Sequence, residues 1–396
     1  MENLVSTGIR TAIVTSYLPR QCGIATFSSD LLTSLKPNYN INHFNTSYLQ
    51  VVAIENLTPA HEYPNEVTFI IREQILDDYI QAAGFINTRS IDVVSLQHEF
   101  NLFGGEDGNY ITQFLNRLKK PVVTTLHTIP IEASPTQKKS LEDVCNLSTF
   151  IVVISEKSKW ILREHYHIPD DRVIVIHHGV HDVPFANPAE YKKKINMEDR
   201  DIILTFGLLD QFKGMEYVIE AMKKVVIRHP QATFIILGKT HPAILKLHGE
   251  EYRESLKKMI KENKLDNNIF FRNEFVTLEE LIDYLMAADI YITPYLNKER
   301  VSSGTLAYAL ACGKAIISTP YYYAQELLND QRGRIVPFED SEAIARELLL
   351  LLGDDDLRNE IRRKAYRFGR KMLWTEAGKS YYRTFAEAIK KEKSSN

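Results

Sequence analysis

The stretch Val301–Tyr321, VSSGTLAYALACGKAIISTPY, carries one complete structural unit in its residue order. Small polar residues around Gly304 open it. A helix-period run follows with Leu306, Ala309 and Leu310 on one face. Cys312–Lys314 breaks the run, and AIISTP (Ala315–Pro320) reads as a short strand. A helix followed at once by an unbroken apolar strand is the repeating element of a parallel α/β sheet.

Working outward from that unit, the same rhythm fills the chain. Short runs rich in Val, Ile and Thr occur at Thr11–Ser16, Val67–Arg72, Asp92–Gln97, Pro121–Leu126, Phe150–Ser155 and Val173–His178. They recur at Asp201–Gly207, Ala232–Gly238, Ile269–Glu274 and Asp289–Tyr295. Helix-period stretches such as Arg72–Ile86 and Asn109–Leu118 separate them. Strands this apolar on both faces belong inside parallel sheets. The rhythm pauses at His181–Asp201, a polar stretch with two prolines that reads as a linker. The expected fold is therefore α/β, with two Rossmann-like domains whose parallel sheets face a central cleft. Residues 1–185 form the first domain, 186–200 the linker, and 201–372 the second domain. Helices at Ser341–Leu352, Asp354–Met372 and Trp374–Lys391 close the chain, with Trp374, Tyr381, Tyr382 and Phe385 as a core-facing stripe on the last.

Composition narrows the function. The net charge of −3, with no basic tract, argues against nucleic acid as a main partner. Three cysteines, Cys22, Cys145 and Cys312, lack metal-ligand spacing and suit a reducing compartment. There is no apolar run of spanning length, and MENLVSTGIR shows no leader pattern, so a cytoplasmic protein is expected.

Ligands of open parallel sheets bind outside the carboxyl ends of the strands, so the loops there hold the candidate residues. After the first strand, Gly23 opens a helix start that suits an anion or a sugar hydroxyl. His98 and Glu99 end a later strand, and His127 ends the next. A histidine–glutamate pair at a buried sheet end either satisfies itself or has a role. In the second half Gly207 permits close backbone approach, and Lys213 precedes a helix start. A lysine there opposes the helix dipole unless an anion is present. Ser303, Gly304 and Thr305 begin the helix of the opening stretch with free amides and hydroxyls. Two anion-ready helix starts on one sheet, one with a lysine, point to a diphosphate. A glycine fingerprint for nicotinamide or a P-loop is absent.

Several segments in order resemble the retaining, nucleotide-sugar-dependent glycosyltransferases of family 4, which have the GT-B fold. They are YLPRQCGIATFSSDL, TLHTIP, VISEKSKWILREHY and IHHGV in the first half. FGLLDQFKGMEYVIEAM, AADIYITPY, SSGTLAYALACGKAIISTPY and RGRIVP follow in the second. QHEFNLFGGEDG together with SSGTLAYALACGKAII resembles a mannosyltransferase-like subgroup. The resemblance implies that Gly23 lies near donor phosphates and acceptor, and that His127 approaches the transferred sugar. It implies that Lys213 neutralises the diphosphate, that Ser303–Thr305 seats it, and that Glu326 lies near the nucleotide. In the expected mechanism His127 and His98 position sugar and acceptor, with Glu99 orienting a histidine, and the resemblance implies that residues 373–396 form a helix crossing back to the first domain.

The resemblance also shows departures. An arginine of the family is replaced by Leu208, and two glutamates by Arg300 and Tyr308. Arg300 is then the candidate for the missing cation and Tyr308 for the ribose contact. The expected reaction is transfer of mannose from GDP-mannose to a hydroxyl of a saccharide or glycolipid, with no cofactor and no metal. The alternatives are another donor such as UDP-glucose, or a lapsed enzyme that binds a nucleotide sugar or glycan without turnover. Peripheral contact with a membrane fits a lipid-linked acceptor.

Overall fold

In the computed structural model, residues 8–39, 48–56 and 61–395 are described. The absence of a leader, read from the first ten residues, falls mostly outside them. The chain divides into two compact units, Met1–Gly179 with Trp374–Asn396, and Val180–Leu373.

The first unit is built on seven parallel strands: β1 (Thr11–Thr15), β2 (Leu49–Glu55), β3 (Val67–Arg72), β4 (Val93–His98), β5 (Val122–Leu126), β6 (Phe150–Val153) and β7 (Val173–Val175). Their order is β3-β2-β1-β4-β5-β6-β7. β1 and β4 are neighbours, with Val14 opposite Leu96. The order reverses there, which opens a crevice at the carboxyl ends of these two strands. β2 was not anticipated. The strand β1 and the core of β4 are fully buried, as their unbroken apolar runs require.

The second unit has six parallel strands: β8 (Asp201–Phe206), β9 (Ala232–Leu237), β10 (Ile269–Arg272), β11 (Ile290–Thr293), β12 (Ala315–Ser318) and β13 (Arg334–Ile335). Their order, β10-β9-β8-β11-β12-β13, reverses between β8 and β11. The helix Met215–Arg228 buries Val218, Ile219, Met222 and Val225 against this sheet, so its apolar face supplies much of the core.

The stretch 186–200, expected as a linker, belongs to the second unit. Asn187 accepts from the Ala189 amide (3.1 Å) and starts a short helix, Pro188–Lys192. Lys192 then pairs with Asp289 at 2.7 Å, with both side chains nearly buried, and Lys194 pairs with Asp283 at 2.7 Å. These lysines dock the segment, although in sequence they look like solvated charges.

The final helix, Trp374–Ser395, packs on the first unit against the helix Gly23–Leu35. Trp374, Tyr381 and Phe385 are buried, as the stripe predicts, while Tyr382 is half-buried and meets Tyr39 edge-on at 5.1 Å. Among the described residues no helix is long and apolar enough to cross a membrane.

Candidate active site

Each sheet gathers candidate residues at its own reversal point. In the first unit, Gly23 begins the helix Gly23–Leu35, which follows β1. It is exposed, and a β-carbon there would meet nothing within 4 Å, so space and not backbone strain distinguishes this position. The Cys22 thiol caps the helix, accepting from the Ala25 amide at 3.4 Å.

His98 ends β4, and the His127 amide donates to its carbonyl at 3.1 Å. His98 is fully buried, and neither ring nitrogen has a hydrogen-bond partner among the described residues. The rings of Phe100 and Phe103 lie 5.2 and 5.7 Å away. Burial lowers its pKa to about 4, so the imidazole is neutral. His127 is also buried. Its Nε2 lies 3.0 Å from the Gln97 side-chain oxygen, and Phe27 meets its ring edge-on at 4.9 Å. Burial, with smaller contributions from His178 and His98, lowers its pKa to about 3.

Glu99 does not satisfy His98. Successive strand residues point to opposite faces, and the Glu99 carboxylate turns outward. It accepts from the Phe100 amide (3.0 Å) and from the Thr128 hydroxyl (2.6 Å). Gln97 is the strand residue that bonds a histidine. Its amide nitrogen reaches Ser95 (3.4 Å) and Thr125 (3.3 Å), and the Thr125 hydroxyl bonds Tyr381 of the last helix at 3.0 Å. Sequence reading passed over Gln97, yet an amide inside the apolar run VVSLQH signals a buried group that needs partners.

In the second unit, Gly207 follows β8 with φ +124°, a conformation that favours glycine. A β-carbon there would sit 3.2 Å from Thr305 Cγ2. This brings the loop after β8 against the start of the helix Gly304–Ala311. Ser303 caps that helix, accepting from the Leu306 amide at 3.3 Å, and its hydroxyl lies 3.1 Å from that of Thr305. Gly304 is its first residue. Tyr308, one turn on, is buried and faces the rings of Phe206 (6.5 Å) and His181 (5.9 Å).

Lys213 closes a turn ending in Gly214, at φ +65°. The Leu296 amide donates to the Phe212 carbonyl at 3.0 Å, tying this turn to the loop after β11. Both cations then meet on Tyr295. Lys213 Nζ lies 4.0 Å and Arg300 Cζ 4.9 Å from the centroid of its ring. The Tyr295 hydroxyl is 2.9 Å from that of Thr305. Burial pushes the Tyr295 pKa up, but Lys213 and Arg300 outweigh it and hold it below the usual phenol value. Among the described residues neither cation forms a salt bridge. Glu326 lies in the helix Tyr322–Leu327, whose start is held by bonds from the Tyr322 and Tyr323 amides to the carbonyls of Lys298 and Arg300 (both 3.0 Å). Its own carbonyl accepts from Arg332 at 3.0 Å.

Two Rossmann-like units, each with a parallel sheet, are the architecture of the GT-B fold. The comparisons agree. Residues 187–368 match the family Glycosyl transferases group 1, and residues 58–182 match Glycosyltransferase Family 4. Glycosyltransferase family matches thus cover residues 58–182 and 187–368 of the chain. It is 29% identical over 250 residues to an uncharacterized glycosyltransferase of Methanocaldococcus jannaschii, covering 61% of this chain and 59% of that one. A phosphatidyl-myo-inositol mannosyltransferase of Mycolicibacterium smegmatis is 28% identical over 158 residues, 39% of this chain and 37% of that protein. The matches thus span 59% and 37% of these relatives, less than two thirds of each. The crystal structure of Anabaena HepE in complex with UDP superposes with a TM-score of 0.73 at 14% identity, covering 96% of this chain and all of HepE.

Proposed function

We propose that this chain is a retaining hexosyltransferase that moves mannose from GDP-mannose onto a hydroxyl of a saccharide or glycolipid acceptor. The observation that carries this reading is the pair of unmatched cations, Lys213 and Arg300, gathered at Tyr295 beside the start of the helix Gly304–Ala311. As the glycosidic bond breaks, the departing diphosphate gains negative charge. Lys213, Arg300 and the amides of Ser303–Thr305 are placed to stabilise that charge. Arg300 supplies the cation that Leu208 does not. With two cations and a helix start, the step needs no metal.

Tyr308, beside Phe206, takes the ribose contact, and Glu326 lies toward the nucleotide. In the first unit Gly23 leaves room for the acceptor and sugar. His127, neutral, binds a hydroxyl without adding charge, and the neutral His98, fully buried, supports the end of the neighbouring strand. Glu99 holds the Thr128 hydroxyl. The name of the mycobacterial relative supports a mannosyl donor. The three free cysteines support a cytoplasmic setting.

The UDP complex of HepE favours a second reading, a UDP-sugar donor in the same fold. A donor screen separates them: nucleoside diphosphate release from GDP-mannose and UDP-glucose, with mixed oligosaccharide acceptors, with and without EDTA. Acceptor-dependent GDP release that survives EDTA, with an α-linked product, is expected. Turnover of UDP-glucose alone replaces the donor. Loss of activity in EDTA, or full activity in Lys213→Ala, overturns the mechanism.

A further inference from the structure

Lys213 and Arg300 come from different loops, yet one side chain receives both. We infer that Tyr295 is a positioning residue that assembles the diphosphate site: its ring gathers the two cations and its hydroxyl ties them to the helix start at Thr305. This rests on the diphosphate reading above and goes beyond it, because Tyr295 acts through its neighbours.

Four observations carry the inference. First, the ring is locked. Tyr295 is buried, and Tyr321 stacks on it with centroids 5.4 Å apart and planes 20° from parallel. The Tyr321 hydroxyl is in turn 3.2 Å from that of Thr293 in β11. A ring covered on one side by another ring has its remaining surface for cations. Second, the backbone is built for the approach. Gly214 has no side chain where the turn passes the Pro294 carbonyl, and a β-carbon there would overlap that oxygen. The Lys213 stem can therefore reach the residue after Pro294. Third, the hydroxyl of Tyr295 bonds Thr305, whose own hydroxyl is near that of Ser303, the helix cap. Ring and helix start thus share one network. Fourth, two positive groups share one ring with no salt bridge for either among the described residues, and mutual repulsion opposes that arrangement. A doubly anionic ligand resolves the repulsion. The depressed phenol pKa of Tyr295 reports the same excess of positive potential.

Inorganic pyrophosphate, tested without metal, probes the site independently of the nucleotide base. Calorimetric affinity is compared for wild type, Tyr295→Phe, Tyr295→Leu, Lys213→Met and Arg300→Met. Tyr295→Phe keeps the ring and is expected to stay within about threefold, since it loses one hydroxyl contact. Tyr295→Leu is expected to lose about tenfold or more. The double variant Tyr295→Leu with Lys213→Met should lose little beyond the worse single variant, since both remove the same arrangement. A second cycle, Tyr295→Phe with Thr305→Val, leaves the ring in place and guards against misfolding of the leucine variant. Non-additivity is expected there too. Wild-type affinity in Tyr295→Leu, or strict additivity in the second cycle, overturns the role of Tyr295 while the diphosphate reading stands if Lys213→Met is weakened. Wild-type affinity in both Lys213→Met and Arg300→Met overturns the diphosphate reading itself.

Discussion

Gly179 lies flat against the indole of Trp374, so close that a β-carbon on the glycine would overlap the ring. The chain leaves the first unit at Gly179 and re-enters it at Trp374. The indole also meets Phe27 at 5.0 Å and His178 at 6.1 Å. Gly179→Ala must displace Trp374, and a loss of about 2 kcal/mol or more is expected from overpacking. Urea unfolding followed by tryptophan fluorescence measures it. Gly84→Ala is the control. That glycine is helical with nothing within 4 Å of a β-carbon, so alanine there should stabilise by about 0.5–1 kcal/mol.

Gly214→Ala and Gly249→Ala together should separate stability from affinity. The position combines φ +65° with the close Pro294 carbonyl. The variant is expected to be less stable and to bind nucleoside diphosphate roughly tenfold more weakly, through loss of a charged contact. Gly249→Ala has φ +61° with open space around it. It should lose about 1 kcal/mol of stability and no affinity. Thermal melts with and without ligand distinguish the two.

The buried histidines predict an acid limit on stability. Their folded pKa values, about 4 for His98 and about 3 for His127, lie below the ordinary value of about 6.5. The unfolded chain therefore binds protons first as pH falls. Their stabilisation is present above pH about 6.5 and lost progressively toward pH 3, at up to about 1.4 kcal/mol per unit for each group. Urea titrations at pH 7.5 and 5 should show the loss, and His98→Phe should reduce it. A pH–rate profile from 6 to 8 should show no ionisation from either histidine.

Gln97→Met removes the acceptor that faces His127. The expected effect is about a tenfold fall in kcat with little change in donor KM, since the ring loses orientation rather than the donor its grip. Tyr381→Phe, which breaks the 3.0 Å bond to Thr125, should cost about 1 kcal/mol of stability. It should lower kcat less than Gln97→Met does. Steady-state kinetics and melts on both variants check this.

Strand content and parallel topology were legible because buried strands leave nearly unbroken apolar runs, as at Thr11–Thr15 and Asp201–Phe206, whereas Val67–Arg72, read in the same way, is an edge strand with only Ile71 buried. The strand Leu49–Glu55 was missed even though LQVVAIE is apolar and, apart from the half-buried Gln50, fully buried. Gly207, Lys213 and Ser303–Thr305 could be found because glycines, helix starts and lone charges have local signatures. Tyr295 could not, because a tyrosine closing an apolar strand reads as core until the cations around it are seen. Glu99 and His98 are adjacent in sequence, yet Glu99 bonds the Phe100 amide and Thr128 while neither His98 ring nitrogen has a hydrogen-bond partner among the described residues. The stretch 186–200 misled for the opposite reason: a polar segment that reads as a linker is docked by Lys192 and Lys194 on Asp289 and Asp283.

The first unit is assembled from both ends of the chain, whereas the second is one continuous segment. During synthesis on the ribosome, Val180–Leu373 can emerge and close its sheet while its predecessor still lacks the helix Trp374–Ser395. Until that helix emerges, Phe27 and Thr125 wait for Trp374 and Tyr381. Nascent chains should therefore show protease resistance in the later-made unit before the earlier-made one.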